Sequence, residues 1–130
     1  MTCCRVALIC HTPEGQAPHW DLLYERQPGS ELCPTWRLDQ PCHSNQGSAT
    51  AVRLFDHRRH YLELDSEFTS DKIGSIKPEI SGDIMDIDDL DDPSHMVVRW
   101  SHGEWSKLLF LKHELRYERL VQADQTSDAK

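Results

Sequence analysis

The sequence predicts a mostly β fold: a small closed or partly open β-barrel with short flanking helices or loops. Three observations lead there. Short runs of alternating apolar and polar residues recur roughly every ten positions, Gly- and Pro-rich turns separate them, and no long segment carries a helical apolar stripe. With 130 residues the chain suits one domain with a real core. Residues 1–121 read as a single domain and 122–130 as a polar, flexible tail.

Arg5 to Cys10 is an apolar strand that ends at His11. Pro13, Gly15 and Pro18 form a turn, after which His19-Trp20-Asp21-Leu22-Leu23-Tyr24-Glu25 alternates as a half-buried strand does. Arg26 to Ser30 turns the chain, and Cys33 to Leu38 reads as a short strand. Gln40 to Thr50 reads as a polar loop, and Val52 to Phe55 starts a strand that Asp56 to Arg59 interrupts. His60 to Leu64 alternates again. Residues 66–82, with Gly74, Pro78 and Gly82, read as connections with short strands. The acidic run 83–92 is expected to be a solvated loop or a charged edge strand. Met96 to Trp100 and Trp105 to Leu111 are strands around a turn, and His113 to Val121 fits strand or helix.

Composition narrows the class. Hydrophobic content of 38% and charged content of 28% describe an ordinary folded protein. No apolar run approaches the roughly 20 residues that span a bilayer, and the first residues do not resemble a signal peptide. No membrane association, a cytoplasmic location and a monomer are the expectations. Five cysteines at 3, 4, 10, 33 and 42, with no Cys-x-x-Cys pair, are expected to be reduced thiols. Asp83, Asp86, Asp88, Asp89, Asp91 and Asp92 hold much of the net charge of −8. Setting those six aside leaves 14 basic residues against 16 acidic. A local basic patch is compatible with that balance, whereas coating long duplexes through charge alone is not.

The chemistry concentrates between His11 and Glu25. On an extended strand His19, Asp21, Leu23 and Glu25 share one side, and Trp20, Leu22 and Tyr24 share the other. The second set makes a core face. The first sets an imidazole and a carboxylate two residues apart, with His11 able to approach from the preceding strand end. Two histidines and one carboxylate suit a divalent cation such as manganese, iron or zinc. A His-x-Asp pair is also common on ordinary strands, where the carboxylate merely orients the ring.

In these elements the chain resembles the 3′-phosphoesterase domain of bacterial DNA ligase D and its free-standing relatives. The resemblance rests on four features in order: a strand ending in His11, the strand His19-Trp20-Asp21 running to Glu25, the segment Thr35-Trp36-Arg37, and Asp56-His57-Arg58-Arg59-His60-Tyr61. It implies a small barrel that binds manganese, or zinc or another divalent metal. The implied activity is removal of a 3′-phosphate or 3′-ribonucleotide from nucleic acid during end repair, alone or beside a DNA ligase or other repair protein. Carried over by motif, His11, His19 and Asp21 are the implied metal ligands, His57 contacts the scissile phosphate, and Tyr61 lines the same pocket.

The chain also departs from that pattern. Leu23 stands where the family has a phosphate-gripping arginine, and the loop from His11 to His19 is two residues longer than usual. Leu38-Asp39-Gln40-Pro41 replaces a Pro-Lys-Gly-Pro stretch. Arg53, Arg58 and Arg59 are the candidates for replacing the lost positive charge. Two other functions fit the sequence: a noncatalytic metal-containing module that binds nucleic-acid ends or a repair partner, and a hydrolase of another small phosphoester.

Overall fold

Period-two alternation carries most of the chain into strands, as the computed structural model shows for residues 4–121. The strands are β1 (Arg5–Thr12), β2 (His19–Tyr24), β3 (Leu32–Leu38), β4 (Gln46–Arg58), β5 (Phe68–Ser70), β6 (Gly74–Ile87), β7 (His95–Trp100), β8 (Trp105–Phe110) and β9 (Glu114–Leu120). A single helical turn, α1 (Arg59–Leu62), follows β4. The order around the sheet is β1-β2-β3-β4-β9-β8-β7-β6, and β6 returns to pair with β1. The result is a closed eight-stranded antiparallel barrel, with β5 outside the ring. No helix among the described residues is long and apolar enough to cross a membrane.

The pleat divides each strand's side chains between two apolar layers. Val6, Leu8, Leu22, Tyr24, Trp36, Leu38, Val98, Trp100 and Leu108 fill the barrel interior. Trp100, fully buried there, donates its indole N–H to Ser106 Oγ at 2.9 Å, so the polar edge of the ring is satisfied. Ala7, Ile9, Leu23, Cys33, Leu62 and Ile76 form a second, smaller layer on the outside, against which Tyr61 and Ile73 pack. Each fully buried Leu or Val contributes about 1.5–3 kcal/mol, so the interior layer dominates stability.

Four segments differ from the sequence reading. β4 begins at Gln46, inside the expected polar loop, because residues 46–50 pair with β9 and turn Ala49 into the core while their polar neighbours face water. The same strand runs unbroken through Asp56 and His57 to Arg58. Residues 60–62 form a helical turn instead of a strand. That turn lays Leu62 onto the outer apolar layer and lets Arg59 meet Glu63 one turn later, at 3.0 Å. The expected short strands of 66–82 include the start of a 14-residue β6. Part of the acidic run continues that strand as an interior member of the barrel, with Asp83 paired to Arg99 at 3.1 Å. Beyond it, the carboxylate of Asp88 accepts the N–H groups of Ser94 and His95 and so holds the turn into β7. His113 to Val121, which fitted strand or helix, supplies β9.

Two prolines lie inside strands, and both sit at register shifts, where a missing N–H does least harm. Pro78 lies beside the irregularity between β1 and β6. Pro34 lies at the irregularity between β3 and β4, where Cys33 faces His57 and Thr35 faces Leu54. Two residues, Phe55 and Asp56, therefore oppose Pro34 alone. The extra residue reverses the inward–outward alternation of β4 beyond it. Ala49 and Ala51 face the interior; His57, which simple alternation would also turn inward, faces out.

Candidate metal centre

His11 and His19 are directly opposed across the β1–β2 ladder, and Ile9 is opposed to Asp21. Asp21 is in turn opposed to Arg37 across β2–β3. Three adjacent strands thus present these side chains on one outer face. The ligand atoms of His11, His19 and Asp21 all lie within 4.8 Å of one another.

The two imidazoles meet nitrogen to nitrogen, His11 Nδ1 lying 3.1 Å from His19 Nε2. His11 Nε2 lies 2.6 Å from the carbonyl oxygen of Ile73, so that nitrogen carries the proton and donates it. Its Nδ1 therefore turns a lone pair toward His19. Burial holds the His19 pKa below its usual value, outweighing the nearby Asp21 carboxylate, and this favours the neutral, ligating form. Either one proton or one cation lies between the two nitrogens. Metal–nitrogen bonds of about 2.1 Å at tetrahedral or octahedral angles set two nitrogens about 3.0–3.4 Å apart, and the observed separation falls in that range.

Asp21 supplies the other half of the test. It is only 3% exposed, yet its Oδ1 accepts no hydrogen bond. His19 Nε2 at 3.7 Å and Arg37 Nε at 3.6 Å are beside that oxygen without bonding it. An unsatisfied buried acceptor costs about 1–3 kcal/mol, and a carboxylate so placed beside two convergent imidazoles fits a divalent cation. His11, His19 and Asp21 are the residues that would hold it.

His57 approaches the other carboxylate oxygen, its Nε2 3.7 Å from Asp21 Oδ2. Its Nδ1 lies 3.1 Å from the carbonyl oxygen of Phe55, to which it donates. Contact with Asp21 raises the His57 pKa, against the opposing effect of burial. The ring of Tyr61 stands edge-on to His57 with centroids 5.8 Å apart. His60 lies against Tyr61, their ring centroids 4.0 Å apart.

All of these residues except His19 border one open cavity of about 730 Å³, together with Arg37, Arg58, Leu54, Phe55, Ile73 and Ile76. The arginines expected to supply positive charge divide. Arg58 borders the cavity. Arg53 lies over the Trp36 ring at 5.3 Å and donates to the Asp91 carbonyl. Arg59 is held by Glu25, Glu63 and the Ser30 carbonyl. Leu23 is fully buried in the outer apolar layer beneath the site.

Three contributors escape the sequence reading. Alternation alone puts Arg37 opposite in sense to Trp36 and Leu38, but only the β2–β3 register makes it the neighbour of Asp21. Phe55, 80% exposed at the cavity edge, reads in sequence as one more strand residue. The Ile73 carbonyl is a backbone group with no sequence signature. It is delivered by the turn between β5 and β6, where Gly74 adopts a φ of 84° and sits so close to β1 that a Cβ would lie 2.2 Å from the Thr12 carbonyl oxygen. No family model and no curated protein matches the chain.

Proposed function

We propose that this protein is a metal-dependent phosphoesterase acting on the 3′ end of nucleic acid, removing a 3′-phosphate or 3′-ribonucleotide, with His11, His19 and Asp21 holding manganese or a similar divalent cation. The observation that carries the reading is the convergence of two imidazoles on a buried carboxylate whose Oδ1 is unsatisfied, at the wall of an open cavity. A divalent cation bound there supplies positive charge for a phosphoryl oxygen and lowers the pKa of a bound water.

The protein's own residues account for the rest. His57 is held toward the cavity by Phe55 and Asp21, with its pKa raised, so it can carry a proton at Nε2 near neutral pH. On a 3′-phosphate, as water adds to phosphorus and the bond between phosphorus and the 3′ oxygen breaks, His57 gives that proton to the departing 3′ oxygen. The products are a 3′-hydroxyl and inorganic phosphate. Tyr61 limits the rotation of the His57 ring, and the apolar wall of Leu54, Ile73 and Ile76 reduces water on the far side.

The test is incubation of the purified protein with manganese and a labelled primer-template ending in 3′-phosphate or a ribonucleotide, with His19→Ala and Asp21→Ala as controls. Product from the parent alone supports the reading. A second reading, a module that binds ends without cleaving them, is favoured by Leu23 and by the engagement of Arg53 and Arg59 away from the cavity. It predicts metal and end binding with no product across several divalent metals.

A further inference from the structure

We infer that Arg37 is the residue that grips the phosphate group of the ligand, from β3 rather than from the strand that carries Asp21. This deepens the phosphoesterase reading and rests on it for the identity of the site. Arg37 is the directly opposed neighbour of Asp21, and its side chain, about 44% exposed, reaches the wall of the same cavity. Its Nε lies 3.6 Å from Asp21 Oδ1, and among the described residues its guanidinium makes no hydrogen bond. Five donors in a rigid fork thus have a carboxylate beside one corner and are otherwise unclaimed.

Two of the other candidate arginines do not compete for that place. Arg53 and Arg59 have their own partners outside the cavity. Arg58 borders it from the end of β4, beside His60 and Tyr61. Among the described residues Arg37 alone of the arginines lies beside the Asp21 carboxylate. When Asp21 directs its charge to a cation, the guanidinium keeps its own charge and its free fork, which matches two oxygens of a phosphate. A phosphoryl group reached by His57 Nε2 and by the three-residue ligand set also lies within range of Arg37, since both flank the same carboxylate at 3.6 and 3.7 Å. Arg37 thereby selects ligands with a terminal dianionic phosphate over those ending in a hydroxyl.

The experiment compares a duplex ending in 3′-phosphate with the same duplex ending in 3′-hydroxyl, by fluorescence anisotropy with manganese present. Arg37→Ala and Arg37→Lys are each placed in a His57→Ala background so that the phosphate stays intact. The background protein is expected to prefer the 3′-phosphate end about 10- to 100-fold, and Arg37→Ala to remove most of that preference. Arg37→Lys should restore only part of it, because an ammonium cannot make the paired contact. Manganese binding, read by titration calorimetry, should be unchanged or tighter in Arg37→Ala, since a positive neighbour is gone. Equal preference with and without Arg37, or no preference in the background protein, overturns the assignment and leaves Arg37 as a counter-charge for Asp21. Phosphate preference that depends on Arg37, in a parent protein that forms no product, keeps the grip and discards the hydrolysis.

Discussion

His57 and Asp21 come from strands that are not neighbours, β4 and β2, yet His57 Nε2 lies 3.7 Å from Asp21 Oδ2. The strand between them, β3, carries Cys33 opposite His57 and Arg37 opposite Asp21. The contact exists because the bulge opposite Pro34 turns His57 outward and the Phe55 carbonyl then orients its ring.

That contact has a pH signature in the metal-free protein. Asp21 raises the His57 pKa above its usual 6.5. The pair therefore stabilises the fold fully below that unfolded value, and the stabilisation is lost as pH rises through the elevated folded pKa. In Asp21→Asn the His57 titration, followed by NMR of its ring protons, should move to lower pH. A titration left in place would show that Asp21 does not act on His57.

Gly74 should matter to cation affinity although it touches no ligand atom. Its φ of 84° and its approach to the Thr12 carbonyl leave no room for a Cβ. Gly74→Ala should displace the turn that presents the Ile73 carbonyl to His11. Losing a group that orients a ligand typically weakens metal binding by about 10–100-fold. Manganese titration of the folded variant, its integrity checked by circular dichroism, measures this; parent-like affinity would show that Ile73 does not orient His11.

Glu25 should govern acid stability. It is 2% exposed and accepts the N–H groups of Arg5 at 2.7 Å and Gly29 at 2.9 Å as well as the Arg59 guanidinium. Burial pushes its pKa up, but these donors together hold it below the usual 4.5. Its contribution is therefore complete above the unfolded pKa and disappears as pH falls through the lowered folded one. Glu25→Gln should cost about 2–3 kcal/mol at pH 7, with the gap from the parent closing in acid. Urea unfolding at pH 7 and near pH 3 tests it, and a gap that stays constant would assign the loss to packing.

Substituting Phe55 would separate the two candidate substrates of the proposed site, a nucleic-acid end and a small phosphoester. It is 80% exposed, and its ring centroid is 5.2 Å from that of His57, a position from which it can stack on a terminal base. Stacking of this kind contributes about 1–3 kcal/mol. Phe55→Ala should raise KM for a 3′-phosphate primer about tenfold while leaving glycerol phosphate hydrolysis unchanged, and Phe55→Trp should keep the primer's KM. Equal losses on both substrates would point to a smaller natural substrate.

The barrel and the His11–His19–Asp21 group were legible because both depend on alternation and on turns, which are local. Trp20, Leu22 and Tyr24 could only suit a core if His19 and Asp21 faced the other way, and they do. What was not legible depends on register between distant segments. The outward turn of His57 requires knowing that Phe55 and Asp56 share one partner, Pro34. The ties of Arg53 to Asp91 and of Arg59 to Glu25 span 38 and 34 residues. Leu62 and Leu64 alternate as in a strand, but Leu62 closes the helical turn Arg59–Leu62 and Leu64 follows beyond it, and both pack on the outer apolar layer.

Neighbouring residues on β2 and β3 have opposite duties. Leu22 and Trp36 hold the barrel shut from within, while Asp21 and Arg37, one step away on each strand, look outward. Reactive groups can therefore be exchanged at alternate positions without disturbing what keeps the chain folded, so a lineage built on this barrel is free to rewrite its chemistry while its architecture stands. Leu23 shows the other use of such a position, an outward place given over to apolar cover.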